Sequence, residues 1–374
     1  MPVTNKVIGK YAAKTIYGPN RHLPLIREGT LIRSSMVEMM RRQGVPWVWV
    51  TDTVFPNLQV REIVKQETID VARRSLGEAF RSVQESRVPS EASSLRLANA
   101  VSAVVDEIVT NKDVLANISH LRDWDNYTFE HSIHVSILST IIAKHLNMTA
   151  DQILRLGTGA ILHDIGKLVV PQEILQKPSK LTDDEFDVIR QHPRLGWDLV
   201  HEGFDHIMPT SSIVVLQHHE RSDGSGYPQG LKGEDIYIFS RIVAVADVFD
   251  ALRSERNYRP VYPPRLVLQI LREEAGTKLD ARAMEALLSH VAVIPDGEIV
   301  RLTNGLLGAV VEANPEHPLQ PVVEVVADEG NMPIERERMD LKETPVQVDL
   351  VLNDWPPGVE ERVAARQKAL TPAI

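Results

Sequence analysis

The chain has 374 residues, 43% hydrophobic and 25% charged, a balance that excludes a predominantly disordered protein and leaves room for two or three domains. It contains no cysteine, which excludes a disulfide framework, thiolate metal sites and cysteine nucleophiles. The formal net charge is -10, so neither a nucleic-acid polymer nor an anionic membrane is an expected partner, whereas a small anion needs only a local positive pocket.

No apolar run approaches the roughly 20 residues needed to span a bilayer. The N-terminal stretch lacks the continuous apolar core of a signal peptide. The expectation is a soluble, cytoplasmic protein.

In chain order, residues 1–58 read as a small α/β unit. Ser34 and Ser35 precede a helical stretch, Met36 to Gln43, that Gly44 stops, and a β-rich run follows from Val45 to Val50. Residues 59–118 read as a helical connector. Ala72, Leu76, Ala79, Phe80 and Val83 recur at helical spacing, and so do Leu97, Val101, Val104, Val105 and Ile108. Such a pair can link domains, form a homodimer or simply pack a core. Residues 119–294 read as helical throughout, most clearly over 183–191, 213–219, 241–252 and 281–288. From 295 to 374 the pattern changes to β-branched runs at 300–302, 308–312, 322–326 and 346–352, separated by Asn304-Gly305, Asn314-Pro315 and Glu329-Gly330. This predicts a small β barrel or meander, followed from Pro356 by a polar tail that is frayed or a short helix.

The helical region holds the chemistry. His163-Asp164 alone would mean little. Its company is His131 before it, and His192, His218-His219 and Asp247 after it. Imidazoles and carboxylates without thiolate suit Fe, Mn or Zn rather than a structural zinc knot. Ligands contributed by several helices are how bundle-core metal sites are built. Five histidines and two aspartates exceed what one ion needs, so two ions about 3.5–4 Å apart are expected, with Asp164 bridging. On a continuous helix Lys167 would share the face of His163 and Asp164, where an ammonium could meet a phosphate oxygen.

At this point the sequence resembles the HD-GYP family, a branch of the HD hydrolases. The segment from His218 to Gly233 matches the pattern HHExxDGxGYPxGLxG at each defined position. The resemblance covers residues 119 to 293, a little under half of the chain. It implies a mainly α protein with an HD-type helical bundle. It also implies a phosphodiesterase that hydrolyses cyclic di-GMP to linear pGpG, or onward to GMP, by attack of a metal-bridging hydroxide.

By position it makes His131, His163, Asp164, His192, His218, His219 and Asp247 metal ligands and Lys167 the phosphate-contacting lysine. Arg256 and Arg259 become substrate-phosphate residues, and the loop of Gly224, Gly226 and Tyr227 borders the site and can meet protein partners. Gly224 and Gly226 allow φ > 0 and close approach, and Pro228 stiffens the exit. Some family members carry a glutamate four residues before the first ligand histidine, which helps hold a third ion. Here that position is Tyr127, and Glu130 points elsewhere on a helix, so two ions are expected, Fe or Mn first and Zn or Ni compatible. The alternatives are the same chemistry on another cyclic dinucleotide, or a cyclic-dinucleotide receptor or interaction module. His134, one turn from His131, reads as a satisfied, partly buried histidine rather than a supporting group.

Overall fold

Apolar residues recur every three or four positions from Ile69 to Val83 and from Leu97 to Ile108, and both stretches are helices whose apolar stripes are buried. The computed structural model describes residues 3, 7–18, 24–43, 45, 48, 50–52, 54–56, 58, 60, 63–111, 127–175, 177, 179–204, 207–253, 262–352 and 354–370.

The N-terminal unit pairs β1 (Ile16–Tyr17) with β2 (Pro24–Ile26) and adds α1 (Ser34–Arg42) over a small core of its own that includes Val37 and Met40. Arg33, not a serine, occupies the cap position of α1 and makes no side-chain cap bond. Of the expected β run at 45–50, Val50 bridges Ala12, and residues 46, 47 and 49 lie outside the described residues.

The bundle follows with α2 (Gln66–Ser86), α3 (Glu91–Thr110), α4 (Tyr127–His145), α5 (Ala150–Leu162), α6 (Gln172–Leu175), α7 (Asp183–Ile189), α8 (His192–Gly203), α9 (Pro209–Gln217), α10 (Ile238–Arg253), α11 (Pro264–Glu274) and α12 (Ala281–His290). Local chemistry fixes several starts. Ser90 caps α3, and Thr149 with Gln152, and Thr182 with Glu185, form capping boxes on α5 and α7.

Both α2 and α3 pack on α4, and α3 also packs on α5, inside one continuous core with the helices that carry the candidate ligands. Helices α2 and α3 are thus an integral layer of the bundle, and their apolar stripes are buried within the chain.

The C-terminal part is a five-stranded antiparallel sheet in the order β6-β5-β4-β3-β7, with β3 (Ile299–Leu302), β4 (Leu307–Glu312), β5 (Val322–Ala327), β6 (Pro333–Asp340) and β7 (Val348–Leu352). The tail is α13 (Val359–Leu370). It is anchored by Trp355, Val359 and Val363, which share a core with Val54 and Phe55 from the end of the N-terminal unit. Phe55 stacks on Trp355 at 6.0 Å, and Lys10 pairs with Glu360 at 2.9 Å. The N-terminal unit and the segment that carries α13 therefore hold each other. Among the described residues no helix is long and apolar enough to cross a membrane.

Candidate metal centre

Five helices deliver the polar cluster. His131 and His134 come from α4, His163-Asp164 follow α5, His192 opens α8, His218-His219 follow α9, and Asp247 and Asp250 lie on α10. All are buried except His219, which is partly so. The expected continuous helix through Lys167 is not what forms. The α-helix ends at Leu162, and the chain tightens into a 3-10 turn, Ile165–Val169, that carries Lys167. The reason is a backbone crossing. A Cβ on Gly166 would stand 1.9 Å from the His192 carbonyl oxygen, so only glycine lets this turn lie on the start of α8. That crossing brings His163-Asp164 against His192. Lys167 still reaches its neighbour, since its Nζ donates to Asp164 Oδ2 at 2.6 Å.

The imidazoles are oriented by what their Nδ1 atoms donate to. His163, His192 and His218 each bond the carbonyl three residues earlier, Ala160 at 2.7 Å, Ile189 at 2.7 Å and Val215 at 2.8 Å. A carbonyl only accepts, so each Nδ1 carries the proton and each Nε2 presents a lone pair. His131 Nδ1 is bound in the same way by Asp250 Oδ2 at 2.7 Å. Yet His131 Nε2 lies 3.3 Å from His163 Nε2, and His192 Nε2 lies 3.2 Å from His218 Nε2. Two lone pairs at that separation repel unless a cation sits between them, a proton on His131 or a metal ion that takes its place. The donor set therefore fits metal ions at two places.

Asp164 joins these places. Its Oδ2 is 3.7 Å from His131 Nε2 and 3.4 Å from His163 Nε2, while its Oδ1 is 3.3 Å from His192 Nε2 and 3.8 Å from His218 Nε2. Oδ1 is buried and makes no hydrogen bond of good geometry. Asp247 repeats the pattern from the other side, with Oδ1 3.2 Å from His131 Nε2 and Oδ2 3.8 Å from His219 Nδ1. Potential ligand atoms of Asp164, His192, His218 and His219 lie within 4.8 Å of one another, as do those of His131, His163 and Asp164. Asp164 belongs to both sets, as a bridging carboxylate would.

Charge states agree. Burial works against ionisation of Asp164, but Lys167 and the imidazoles of His163 and His192 hold it well below the usual carboxylate range. Burial likewise opposes the Asp247 charge, and His131 and His219 outweigh it. Burial keeps His218 and His219 neutral far below their ordinary titration. His131 is the exception: burial pulls it down, but bonds to Asp247 and Asp250 raise it to about 9.

The loop after α9 closes one side. The buried Glu220 carboxylate accepts from the backbone N–H of Gln229 at 2.7 Å and of Leu231 at 2.9 Å. Gly224 has φ +85, as expected. Gly226 serves by close approach instead, because a Cβ there would stand 2.3 Å from the Arg221 nitrogen. The fold thereby lays the Tyr227 ring on His219, 4.7 Å between centroids. Burial, then the Asp247 and Asp164 charges, push the Tyr227 hydroxyl well above its ordinary value.

Of the residues expected in the site, the seven His and Asp side chains, Lys167, and the loop of Gly224, Gly226 and Tyr227 are brought together. Arg256 and Arg259 lie outside the described residues, as does the side chain of Tyr127. His134 is more than a satisfied histidine. Its Nδ1 shares Asp250 with His131, at 2.8 Å from Oδ1. Sequence reading gave no role to Asp250, Glu220 or Arg73. For Asp250 a signal existed, because three residues after Asp247 on a helix is the same face.

Residues 105–283 match the family described as HD domain, and residues 299–348 match the KOW domain associated with HD domain. A cyclic di-GMP phosphodiesterase of Pseudomonas aeruginosa is 30% identical over 91% of this chain and 88% of its own length. A cyclic di-GMP phosphodiesterase response regulator of Xanthomonas campestris is 41% identical over 46% of each chain. The solved structure of an HD-GYP-type protein from Bdellovibrio bacteriovorus superposes with a TM-score of 0.52 at 20% identity, covering 75% of this chain and 93% of that one, a likeness of fold alone. With the His-Asp centre and the HHExxDGxGYPxGLxG segment, these matches establish that the chain belongs to the HD-GYP branch of the HD domain family.

Proposed function

We propose that this protein is a metal-dependent phosphodiesterase that hydrolyses cyclic di-GMP to linear pGpG. The observation that carries the reading is the pair of facing Nε2 atoms on each side of Asp164, His131 with His163 and His192 with His218. We assign His131, His163, Asp164, His192, His218, His219 and Asp247 as ligands of two divalent ions. Imidazole and carboxylate donors accept Fe or Mn, and also Zn or Ni. Such ions supply Lewis-acid polarisation of the phosphoryl group and an activated water.

The chain's own residues do the rest. Asp164 and Asp247 stay ionised although buried, which offsets cationic charge in the centre. The Lys167 ammonium, partly open to solvent, stands beside Asp164 where a non-bridging phosphate oxygen can take its bond. Tyr227 shields the His219 side of the site from water. Arg256 and Arg259 are assigned to the substrate's phosphate, on the family resemblance alone. Tyr127 in place of a glutamate favours two ions and pGpG as the end product, with GMP as the outcome a third ion would bring.

Elemental analysis of anaerobically purified protein, run beside cyclic di-GMP hydrolysis with products resolved by chromatography, tests this. Two equivalents of Fe or Mn with pGpG accumulating is the expected result. A metal-loaded chain that hydrolyses no cyclic dinucleotide would overturn it in favour of a receptor.

A further inference from the structure

We propose that Phe186, Arg190 and Tyr227 form a purine-receiving wall at the rim of the metal centre, with the Arg190 guanidinium reading the O6/N7 edge of guanine. This rests on the function proposed above and adds the basis of its base selectivity.

Phe186 is a large apolar side chain left 41% exposed in the middle of the short helix α7. It is not isolated. The Arg190 guanidinium lies over its ring, 4.6 Å from the centroid, and 5.7 Å from the centroid of Tyr227. Tyr227 in turn lies on His219. Arg190 is therefore one aromatic ring away from the proposed ligands, with its own side chain 47% exposed. Arginine planes and aromatic faces are the surfaces on which unpaired bases stack. A base attached to a nucleotide whose phosphate sits at the metals would leave the centre past Tyr227 and meet this wall.

The wall is held in place before any ligand arrives. The Glu185 carboxylate accepts from Thr182 N at 2.8 Å and from Lys177 Nζ at 2.7 Å, which fixes the start of α7. His192 Nδ1 bonds the Ile189 carbonyl, so the residue before Arg190 is tied to a ligand of the centre. Preorganisation of this kind lowers the entropic cost of binding. Among the described residues the Arg190 guanidinium has one ion-pair partner, Asp187 at 3.1 Å, an exposed pair that competes only weakly.

The choice of base follows from donor arithmetic. Guanine shows two acceptors, O6 and N7, which a guanidinium fork can meet together. Adenine puts an amino donor where O6 would be, so the fork faces a donor with a donor. A bare phosphate, by contrast, asks only for positive charge.

The test is steady-state kinetics of the full, metal-loaded chain on cyclic di-GMP, cyclic di-AMP and bis(4-nitrophenyl) phosphate, for wild type, Arg190→Met, Arg190→Lys and Phe186→Ala, with metal content measured for each. The expected result is that Arg190→Met raises KM for cyclic di-GMP about tenfold or more. Its kcat/KM should fall much further for cyclic di-GMP than for cyclic di-AMP or the baseless diester. Arg190→Lys keeps a cation that can still donate to O6 and N7 and should lie between wild type and Arg190→Met, and Phe186→Ala should raise the same KM to a smaller extent than Arg190→Met. Two results overturn the inference: an unchanged KM in Arg190→Met, or a parallel fall on all three substrates. A wild-type chain that cleaves the baseless diester and no cyclic dinucleotide instead overturns the proposed function, a pattern no variant is needed to see.

Discussion

Asp250 holds two histidines with one carboxylate: Oδ2 accepts from His131 Nδ1 at 2.7 Å, and Oδ1 accepts from His134 Nδ1 at 2.8 Å. The first bond fixes which nitrogen of His131 faces the centre. The second links α4 to α10 one turn further on. Asp250→Asn keeps the shape but replaces one acceptor oxygen by an N–H donor. One imidazole must then turn or move its proton to Nε2, where a metal cannot bind. The expected effect is metal affinity lower by about 10- to 100-fold, with the fold intact. Competition against a chelator, read by elemental analysis beside circular dichroism, checks it. An unchanged affinity would show that His131 needs no such partner.

Arg73 binds the other flank of the same helix segment. Its guanidinium meets both oxygens of Glu130, with Nη2 to Oε2 at 3.1 Å, and also Asp70 Oδ1 at 2.5 Å. Glu130 is 2% exposed and immediately precedes His131. Arg73→Ala leaves that carboxylate buried without its cation, which costs about 3–5 kcal/mol. Urea denaturation should show a loss of that size. The double variant Arg73→Met, Glu130→Met should recover most of it. A double variant as unstable as the single one would mean that packing, not charge, is what Arg73 supplies.

These two contacts mark the limit of what the sequence made legible. The candidate ligand set could be read because its chemistry is local in type, histidine and aspartate with no cysteine, and because the HHExxDGxGYPxGLxG segment is long and ordered. The helices at Ile69–Val83 and Leu97–Ile108 could be read from their period. Their destination could not, since an amphipathic stripe says that a face is buried and not against what. β6 went unrecognised because Glu335, Arg336, Glu337 and Arg338 carry no apolar alternation. It is an edge strand with both faces largely in water. The break after Leu162 was hidden because its cause, Gly166 against the His192 backbone, is a contact between distant residues. Arg73 with Glu130 is another such contact, and no spacing rule joins α2 to α4.

The stacked pair His145 and His290, 3.3 Å between ring centroids, gives the fold a pH dependence separate from the metal centre. Burial, then the neighbouring His290 and Lys144, lower His145 from 6.5 to about 4. Above the ordinary value the imidazole is neutral in folded and unfolded chains alike and contributes nothing. Below it the unfolded chain takes up a proton that the folded chain refuses until about pH 4, so stability falls as the pH drops through that window. His145→Phe removes this titration and keeps a ring. Urea midpoints at pH 7 and pH 5 should therefore differ less for His145→Phe than for wild type. An equal or larger difference in the variant would rule the pair out as a source of acid sensitivity.

Glu220 gives the loop around Tyr227 a test that leaves the metals alone. Both of its oxygens are used, by the N–H groups of Gln229 and Leu231. Glu220→Gln keeps one acceptor and turns an amide N–H toward the other donor, a buried mismatch worth about 1–3 kcal/mol. The loop should open locally before the bundle does, because the clamp spans only the loop itself. Hydrogen exchange should rise over residues 226–231 with no change at α4 or α10, and Tyr227 should leave the His219 ring for part of the time. KM for a cyclic dinucleotide should increase while metal content holds. Gly226→Ala strikes the same loop harder, since its Cβ would fall 2.3 Å from the Arg221 nitrogen and 2.5 Å from the Glu220 Cα, both backbone atoms with little room to retreat. If either variant lost metal before it lost substrate affinity, the loop would be part of the scaffold that holds His218 and His219 rather than a wall beside them.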